Sequence, residues 1–413
     1  MKGWLSEWKD RFWALPMLCF VAAVAIGLGI TRLDHVLDTQ YELPFLFAGG
    51  PEGARAVLSA IITSMISFTG LVFSITIIAL QLASSQFSPR LLRTFLRDRV
   101  NQLTLGVFVA TFSYAFSVLR GVRGTAQTSS FVPQIAVTVS FLFVALSILV
   151  FLIYIHHMAN SVRAATIITK IGNETRKLLD EVLPEEAPAP PLVDATGIAA
   201  NWTPVLAARS GVIQQVDLAA LASSADAGAV RIARAIGEFV PAGAVVLYVE
   251  GTDDPDATAL LRAVHFGRER SMDEDPGFGI RQLVDIAERA LSPGVNDPTT
   301  AVQALDQIHE LLRQIVRRPV PPYRCHVEDG RSVVLLPQPT VQDYLALGLD
   351  EIAHWGADSD RVRRRIAVLL DDIRGVARPE HRPAVEREIE RLGLRDMMAA
   401  LAIPVPPSDT GLR

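Results

Sequence analysis

Ala56-Val-Leu-Ser-Ala-Ile-Ile-Thr-Ser-Met-Ile-Ser-Phe-Thr-Gly-Leu-Val-Phe-Ser-Ile-Thr-Ile-Ile-Ala-Leu-Gln-Leu-Ala-Ser-Ser-Gln86 is a long apolar run without a single charge. It reads as a membrane-crossing helix, and that reading decides the fold. The run also carries a polar stripe. At ~100° per residue, Thr63, Ser67, Gly70, Ser74, Gln81 and Ser85 fall within one arc of ~60°, and Ile78 sits between Ser74 and Gln81. A helix facing only lipid has no use for such a stripe. It implies a neighbouring helix, a partner subunit or water on that side, so it marks either a permeation path or a helix interface.

Around this run the chain divides by composition. It has 413 residues, 50% hydrophobic and 20% charged, with a mean hydropathy of +0.30. The apolar weight lies mostly before residue 158 and the charge mostly after it. A membrane domain followed by a soluble one is the expected order. The net charge of -5 is mild and indicates no polyanionic partner such as nucleic acid. The two cysteines, Cys19 and Cys325, fall in different domains and form no disulfide framework. No Cys/His group has zinc spacing, and no metal or cofactor is expected.

Four segments have the length and character of spans: about 13–33, 56–86, 103–120 and 131–157. The first is longer than a signal-peptide core and is followed by Arg32, Asp34 and His35, with no clear small-residue cleavage site; it reads as a retained helix. Basic residues bias the connections. Lys2, Lys9 and Arg11 precede span one, while Arg90, Arg93, Arg97 and Arg99 follow span two. The positive-inside rule puts both of these, and both chain ends, in the cytoplasm. Span two is too long for a ~30 Å hydrocarbon core, since ~1.5 Å per residue gives ~46 Å. It must tilt or project inward. The segment after it alternates Leu and Phe with Arg, as a surface-lying amphipathic helix does, and Arg90 and Arg93 stand where a pore mouth would be.

The expected domains are a membrane domain over 1–183, a Pro-rich linker over 184–198, a small β-rich subdomain over 199–256, a helical subdomain over 257–400 and a disordered tail over 401–413. The fold class is therefore membrane α-helical with four spans plus a cytosolic α+β domain. Residues 209–217, 230–235 and 238–250 alternate as strands with turns between them. Their pattern resembles the small barrel-sandwich folds of lipoyl and biotinyl carriers. No lysine lies between Arg209 and Gly251, so the likeness is one of fold and not of carrier chemistry. Candidate helices follow at 279–291, 298–316, 340–356, 358–374 and 381–397.

One segment is dense in specific residues: Phe266-Gly-Arg-Glu-Arg-Ser-Met-Asp-Glu-Asp-Pro-Gly-Phe-Gly, continuing to Ser292-Pro-Gly-Val-Asn-Asp-Pro-Thr-Thr-Ala301. With Gln81-Leu-Ala-Ser-Ser-Gln-Phe-Ser-Pro-Arg90 and Tyr154-Ile-His-His157, it resembles the signature of a large family of predicted bacterial inner-membrane proteins, a domain of unknown function. The resemblance covers most of the chain. It implies membrane location and this domain order, and supplies no activity. In the dense segment Asp297 before Pro298 is a strong helix start, and Ser292 to Asn296 a turn between helices. Arg268, Arg270, Asn296 and Asp297 are a candidate ligand or ion site there; the alternative is a hydrogen-bonded corner between two helices.

Enzyme motifs are missing: there is no Gly-Lys-Ser/Thr phosphate loop, no Gly-x-Ser-x-Gly and no His-Glu-x-x-His. No catalytic residue and no enzyme activity is expected. His156-His157 can anchor the end of span four or carry protons or metal. Asp273, Glu274 and Asp275 form a solvated acidic turn or a weak cation site. The leading expectation is a homo-oligomeric ion channel in the inner membrane, lined by Thr63, Ser67, Gly70, Ser74, Ile78, Gln81 and Ser85. Its partners would be lipid, further copies of itself and inorganic ions. A non-conducting sensor or scaffold, and a secondary transporter, are the alternatives.

Overall fold

The computed structural model describes residues 13–36, 46–86, 98–124, 131–161, 163–185, 202–224, 228–252, 254–328 and 332–401. The chain divides into two compact units after Thr166.

Among its described residues the first unit holds four helices long and apolar enough to cross a membrane: α1 (Ala14–Val36), α2 (Pro51–Gln86), α3 (Arg99–Leu119) and α4 (Gln134–Ser161). α3 packs against all three others and is the most buried, although it is the least hydropathic of the four. In lipid this is the expected order of things: polar residues gather where helices meet, not where they face tails. Small residues let the backbones close up. A Cβ on Gly106 would lie 2.9 Å from the Cys19 sulfur, and one on Gly27 would lie 3.0 Å from Ser117 Cβ.

The helix ends of this unit are held by side chains from elsewhere in the chain. Asp34, in the last turn of α1, accepts hydrogen bonds from the Ala136 and Ile135 amides at 2.9 and 3.3 Å and so caps α4. Sequence reading ends span one at about residue 33, with Asp34 just beyond it; α1 instead continues to Val36, which carries Asp34 into the helix and buries it. Arg55 donates to the carbonyls of Val122 and Gly124 just beyond α3. Asp98 caps α3 through the Val100 amide (2.8 Å) and meets His157 of α4 at 2.6 Å.

The second unit opens with α5 (Ala164–Val182), which begins at the division. Its apolar face, Ile167, Ile168, Ile171, Leu178 and Leu179, is buried. The membrane domain expected over 1–183 therefore does not end on one unbroken helix. α4 ends at Ser161 and a separate amphipathic helix takes over, because apolar residues switch from covering every face to a single stripe.

Two sheets follow. β1 (Trp202–Leu206), β5 (Val245–Glu250), β3 (Ala229–Ile232), β8 (Ser332–Pro337) and β7 (Tyr323–Glu328) form one in that order. β4 (Phe239–Val240), β2 (Gly211–Val216) and β6 (Val264–Gly267) form the other. Among the described residues only the β3–β8 pairing is parallel. Ile213, Val240 and Val264 of the small sheet share one apolar core with Val205, Val230, Leu247 and Val334 of the large one. The result is a sandwich, with no closed barrel among the described residues. The β7–β8 hairpin lies far along the chain, within the stretch that reads as helical, yet completes the larger sheet.

Short helices α6 (Leu218–Ser224) and α7 (Ala257–Arg262) sit between strands. A helical layer comprises α8 (Pro276–Leu291), α9 (Pro298–Arg317), α10 (Val341–Trp355), α11 (Asp360–Val376), α12 (Arg382–Arg391) and α13 (Arg395–Leu401). α8 packs on α9 and α10, and α9 on α11. Their starts follow capping chemistry. Asp275 and Asp297 each cap a helix with proline in its first turn, and Thr340 with Asp343 forms a capping box.

Candidate functional site

The stripe on α2 points away from the helix bundle that carries it. Ala54, Leu58, Ile61, Met65, Val72 and Ala79 are the apolar α2 residues buried against the other helices. At ~100° per residue they centre about 180° from the stripe. Thr63, Ser67, Gly70, Ser74, Ile78 and Gln81 are all exposed. Ile78 is 61% exposed, and a Cβ added to Gly70 would meet nothing within 4 Å. The stripe is therefore not a seam within the four-helix unit. One of its hydroxyls is satisfied locally: Ser67 donates to the Thr63 carbonyl at 3.0 Å. The side chain of Ser85, and Arg90 and Arg93 altogether, lie outside the described residues.

A second polar system runs through the interior, and sequence reading misses it. α3 buries Asn101, Gln102, Thr104, Thr111, Ser113 and Ser117. Thr111 meets Ser147 of α4 at 2.8 Å, and Tyr114 donates to the Ala136 carbonyl at 2.9 Å. Thr76 of α2 meets the Tyr154 phenol at 2.9 Å, and both hydroxyls also reach the Val72 carbonyl. Asn101 Oδ1 and Ser113 Oγ are buried without a hydrogen-bond partner among the described residues. The low hydropathy of α3 was the available signal: a polar span among apolar ones belongs at the centre.

His157 serves this unit as the partner of Asp98, whereas His156 meets Asn160 at 3.0 Å.

In the second unit the candidate group Arg268, Arg270, Asn296 and Asp297 is not assembled. Arg270 lies by the start of α8, where it pairs with Asp275 at 2.8 Å and stacks over Phe278. Asn296 and Asp297 lie beyond its other end, about 24 Å away at 1.5 Å per residue. Arg268 is exposed. Asn296 takes a left-handed conformation (φ 48°) that closes the turn. Asp297 is engaged by the Thr299 and Thr300 amides and the Thr300 hydroxyl, and the Thr300 bond leads in holding its carboxyl below the usual range. The helix-corner alternative accounts for these contacts. The acidic turn is likewise taken up by arginine: Glu274 meets Arg324 at 2.5 Å, and Asp275 meets Arg270. Burial pushes Asp275 up, against the pull of Arg270 and two amides.

Three strongly apolar helices around a more polar central one, followed by a mixed α/β region, define a multi-span membrane protein. Residues 9–372 match the family described as predicted membrane protein (DUF2254), and the chain belongs to that family. It is 34% identical over 411 residues to the uncharacterized proteins Mb1321c of Mycobacterium bovis and Rv1290c of Mycobacterium tuberculosis, covering 94% of this chain and 76% of each relative. No solved structure matches the chain.

Proposed function

We propose that the protein is a homo-oligomeric ion channel of the bacterial inner membrane. In this reading α2 lines the pore, both chain ends are cytoplasmic, and the second unit assembles and regulates the ring without enzymatic chemistry. The observation that carries the reading is the placement of Thr63, Ser67, Gly70, Ser74 and Gln81 diametrically opposite the buried face of α2. Against lipid these groups gain nothing; against water or a second copy they gain hydrogen bonds or close packing. Four helices per chain are too few to enclose a wide path, so copies must combine. Ile78 is the apolar residue within the stripe and is assigned as a constriction that gates by dewetting. With no charge on the stripe, ion selectivity falls to the rim, where Arg90 and Arg93 favour anions.

The test is single-channel recording of the full chain in planar bilayers, wild type beside Ile78→Ser. A raised open probability in the variant supports the pore. Silence of both proteins, with a dimer sealed through α2 on particle imaging, refutes it. That outcome would favour the second reading, a non-conducting sensor or scaffold. The locally satisfied Ser67 hydroxyl and the open face at Gly70 suit such a packed seam.

A further inference from the structure

A cleft of about 520 Å³ opens beside α9 in the second unit, lined by polar side chains of that helix and by Asp372 of α11. Its size falls within the range of small-molecule sites. Each carboxylate lining it is already engaged. Asp372 accepts from His309 Nε2 at 2.8 Å and Arg313 Nε at 2.9 Å. Asp306 accepts from Arg365 at 2.6 Å, and Glu310 pairs with Arg176 at 3.1 Å.

Two groups are left over. Arg317 is exposed, with no ion-pair partner among the described residues. Gln314 Oε1 is buried with no donor among the described residues. His309 adds no charge. Arg365 Nη2 can only donate, so the His309 Nδ1 atom 2.8 Å away must accept, which leaves the imidazole neutral with its proton on Nε2. Arg313 and Arg317 stand one helical turn apart, and like charges at that spacing destabilise a helix unless an anion joins them. Two guanidinium forks that line one cleft with an unpaired carbonyl oxygen suit a phosphoryl group that also carries a hydrogen-bond donor.

We propose that this cleft binds a small, soluble, phosphate-bearing solute. Its phosphoryl oxygens lie between Arg313 and Arg317, and a hydroxyl or amino hydrogen is donated to Gln314 Oε1. The site differs from the group at the two ends of α8. Its test reads no current, so it stands or falls apart from the channel reading.

The minimal probe is inorganic phosphate, which keeps an O–H near neutral pH; sulfate does not. Phosphorus NMR line widths are measured for phosphate titrated into the full chain in maltoside detergent at constant ionic strength. The expected result is saturable broadening that weakens about tenfold or more in Arg317→Gln, as loss of a charge-assisted contact requires. Sulfate should compete poorly with wild type and equally well with phosphate in Gln314→Leu. Because Arg317 is exposed, its variant should unfold at the wild-type temperature. Absence of saturable broadening, or an unchanged titration in Arg317→Gln, overturns the site. In a second arm, phosphatidylglycerol vesicles compete with the bound phosphate. Displacement would make a lipid headgroup the source and overturn the soluble-solute assignment; no displacement upholds it.

Discussion

Asp34 caps a helix that begins 100 residues later: its carboxylate takes the Ala136 and Ile135 amides at 2.9 and 3.3 Å and fastens the end of α1 to the start of α4. The bond is buried, so removing the carboxylate strands two amide donors. Asp34→Ala should lower stability by about 1–3 kcal/mol, and Asp34→Asn by less, since its carbonyl oxygen still accepts. Thermal unfolding of the detergent-solubilised chain, followed by size exclusion, measures the difference. Equal stability of the two variants would contradict the capping role.

Tyr154 and Thr76 tie α4 to α2 at 2.9 Å. Tyr154→Phe keeps the ring and removes only the hydroxyl. Hydrogen bonds between membrane helices average about 0.6 kcal/mol with a maximum near 1.7, so the expected loss lies in that range. A double-mutant cycle with Thr76→Val should show coupling, and additive losses would count against the contact.

The outward stripe predicts which cysteines join copies of the chain. In a background with Cys19 and Cys325 replaced by serine, Ser74→Cys should form disulfide-linked dimers on mild oxidation in native membranes. Val72→Cys, on the opposite buried face of the same helix, should not. Gel mobility without reductant reads the result. Monomer alone from Ser74→Cys would place the stripe against lipid.

Close packing of α5 on α8 depends on one missing methyl. A Cβ on Gly279 would lie 1.9 Å from the Thr175 hydroxyl, which is buried. Gly279→Ala should destabilise by about 1–3 kcal/mol through overpacking. Gly375 is a fair control: it lies within α11 and its Cβ would meet nothing within 4 Å. Gly375→Ala should stabilise by about 0.5–1 kcal/mol through helix propensity. Chemical denaturation of the full chain, read on the second unit, compares them.

His309 makes stability pH-dependent. Burial is the largest influence and pushes its pKa below the ordinary value of about 6.5; the Arg365 and Arg313 charges act in the same sense, and the Asp372 hydrogen bond and charge oppose them. The unfolded chain therefore binds this proton more readily than the folded one. Stability should fall as pH drops through 6.5 toward the depressed folded value, and level off below it. His309→Gln should flatten the slope of the melting temperature between pH 7.5 and 5.5. The neighbouring Asp372 is pushed up by burial but held down more strongly by His309 and Arg313, so its net pKa is lowered. It is present as a stabilising carboxylate above the ordinary carboxyl range, and its contribution is lost only as pH falls below that range. The two effects thus occupy different windows.

Much of this fold is written locally. Long apolar runs specify the four spans, and Asp275, Asp297 and Thr340 mark helix starts through side chain to amide bonds that need no distant partner. What escapes local reading is pairing across distance. The β7–β8 hairpin earns its place only by lying parallel to β3, about a hundred residues earlier. The same holds for function. The period of the stripe on α2 can be counted from residue spacing, but its outward direction depends on which face α3 claims. The arginines at 268 and 270 are near Asn296 in sequence pattern, yet a sixteen-residue helix holds them apart. The cleft beside α9 takes Asp372 from α11, while Arg365 of α11 and Arg176 of α5 hold two of its lining carboxylates, and no short motif announces it.

The Asp34 cap also orders events on the ribosome. At roughly 5–20 residues per second, the amides of Ile135 and Ala136 are made several seconds or more after Asp34 itself. Until then α1 carries an unmatched carboxylate, which costs about 2.5–3.5 kcal/mol at mid-bilayer and less near the headgroups. The nascent first helix is thus held with that end at the interface. The tie between α1 and α4 can close only when the fourth helix arrives, so a chain truncated between α3 and α4 would leave Asp34 without the amides it caps.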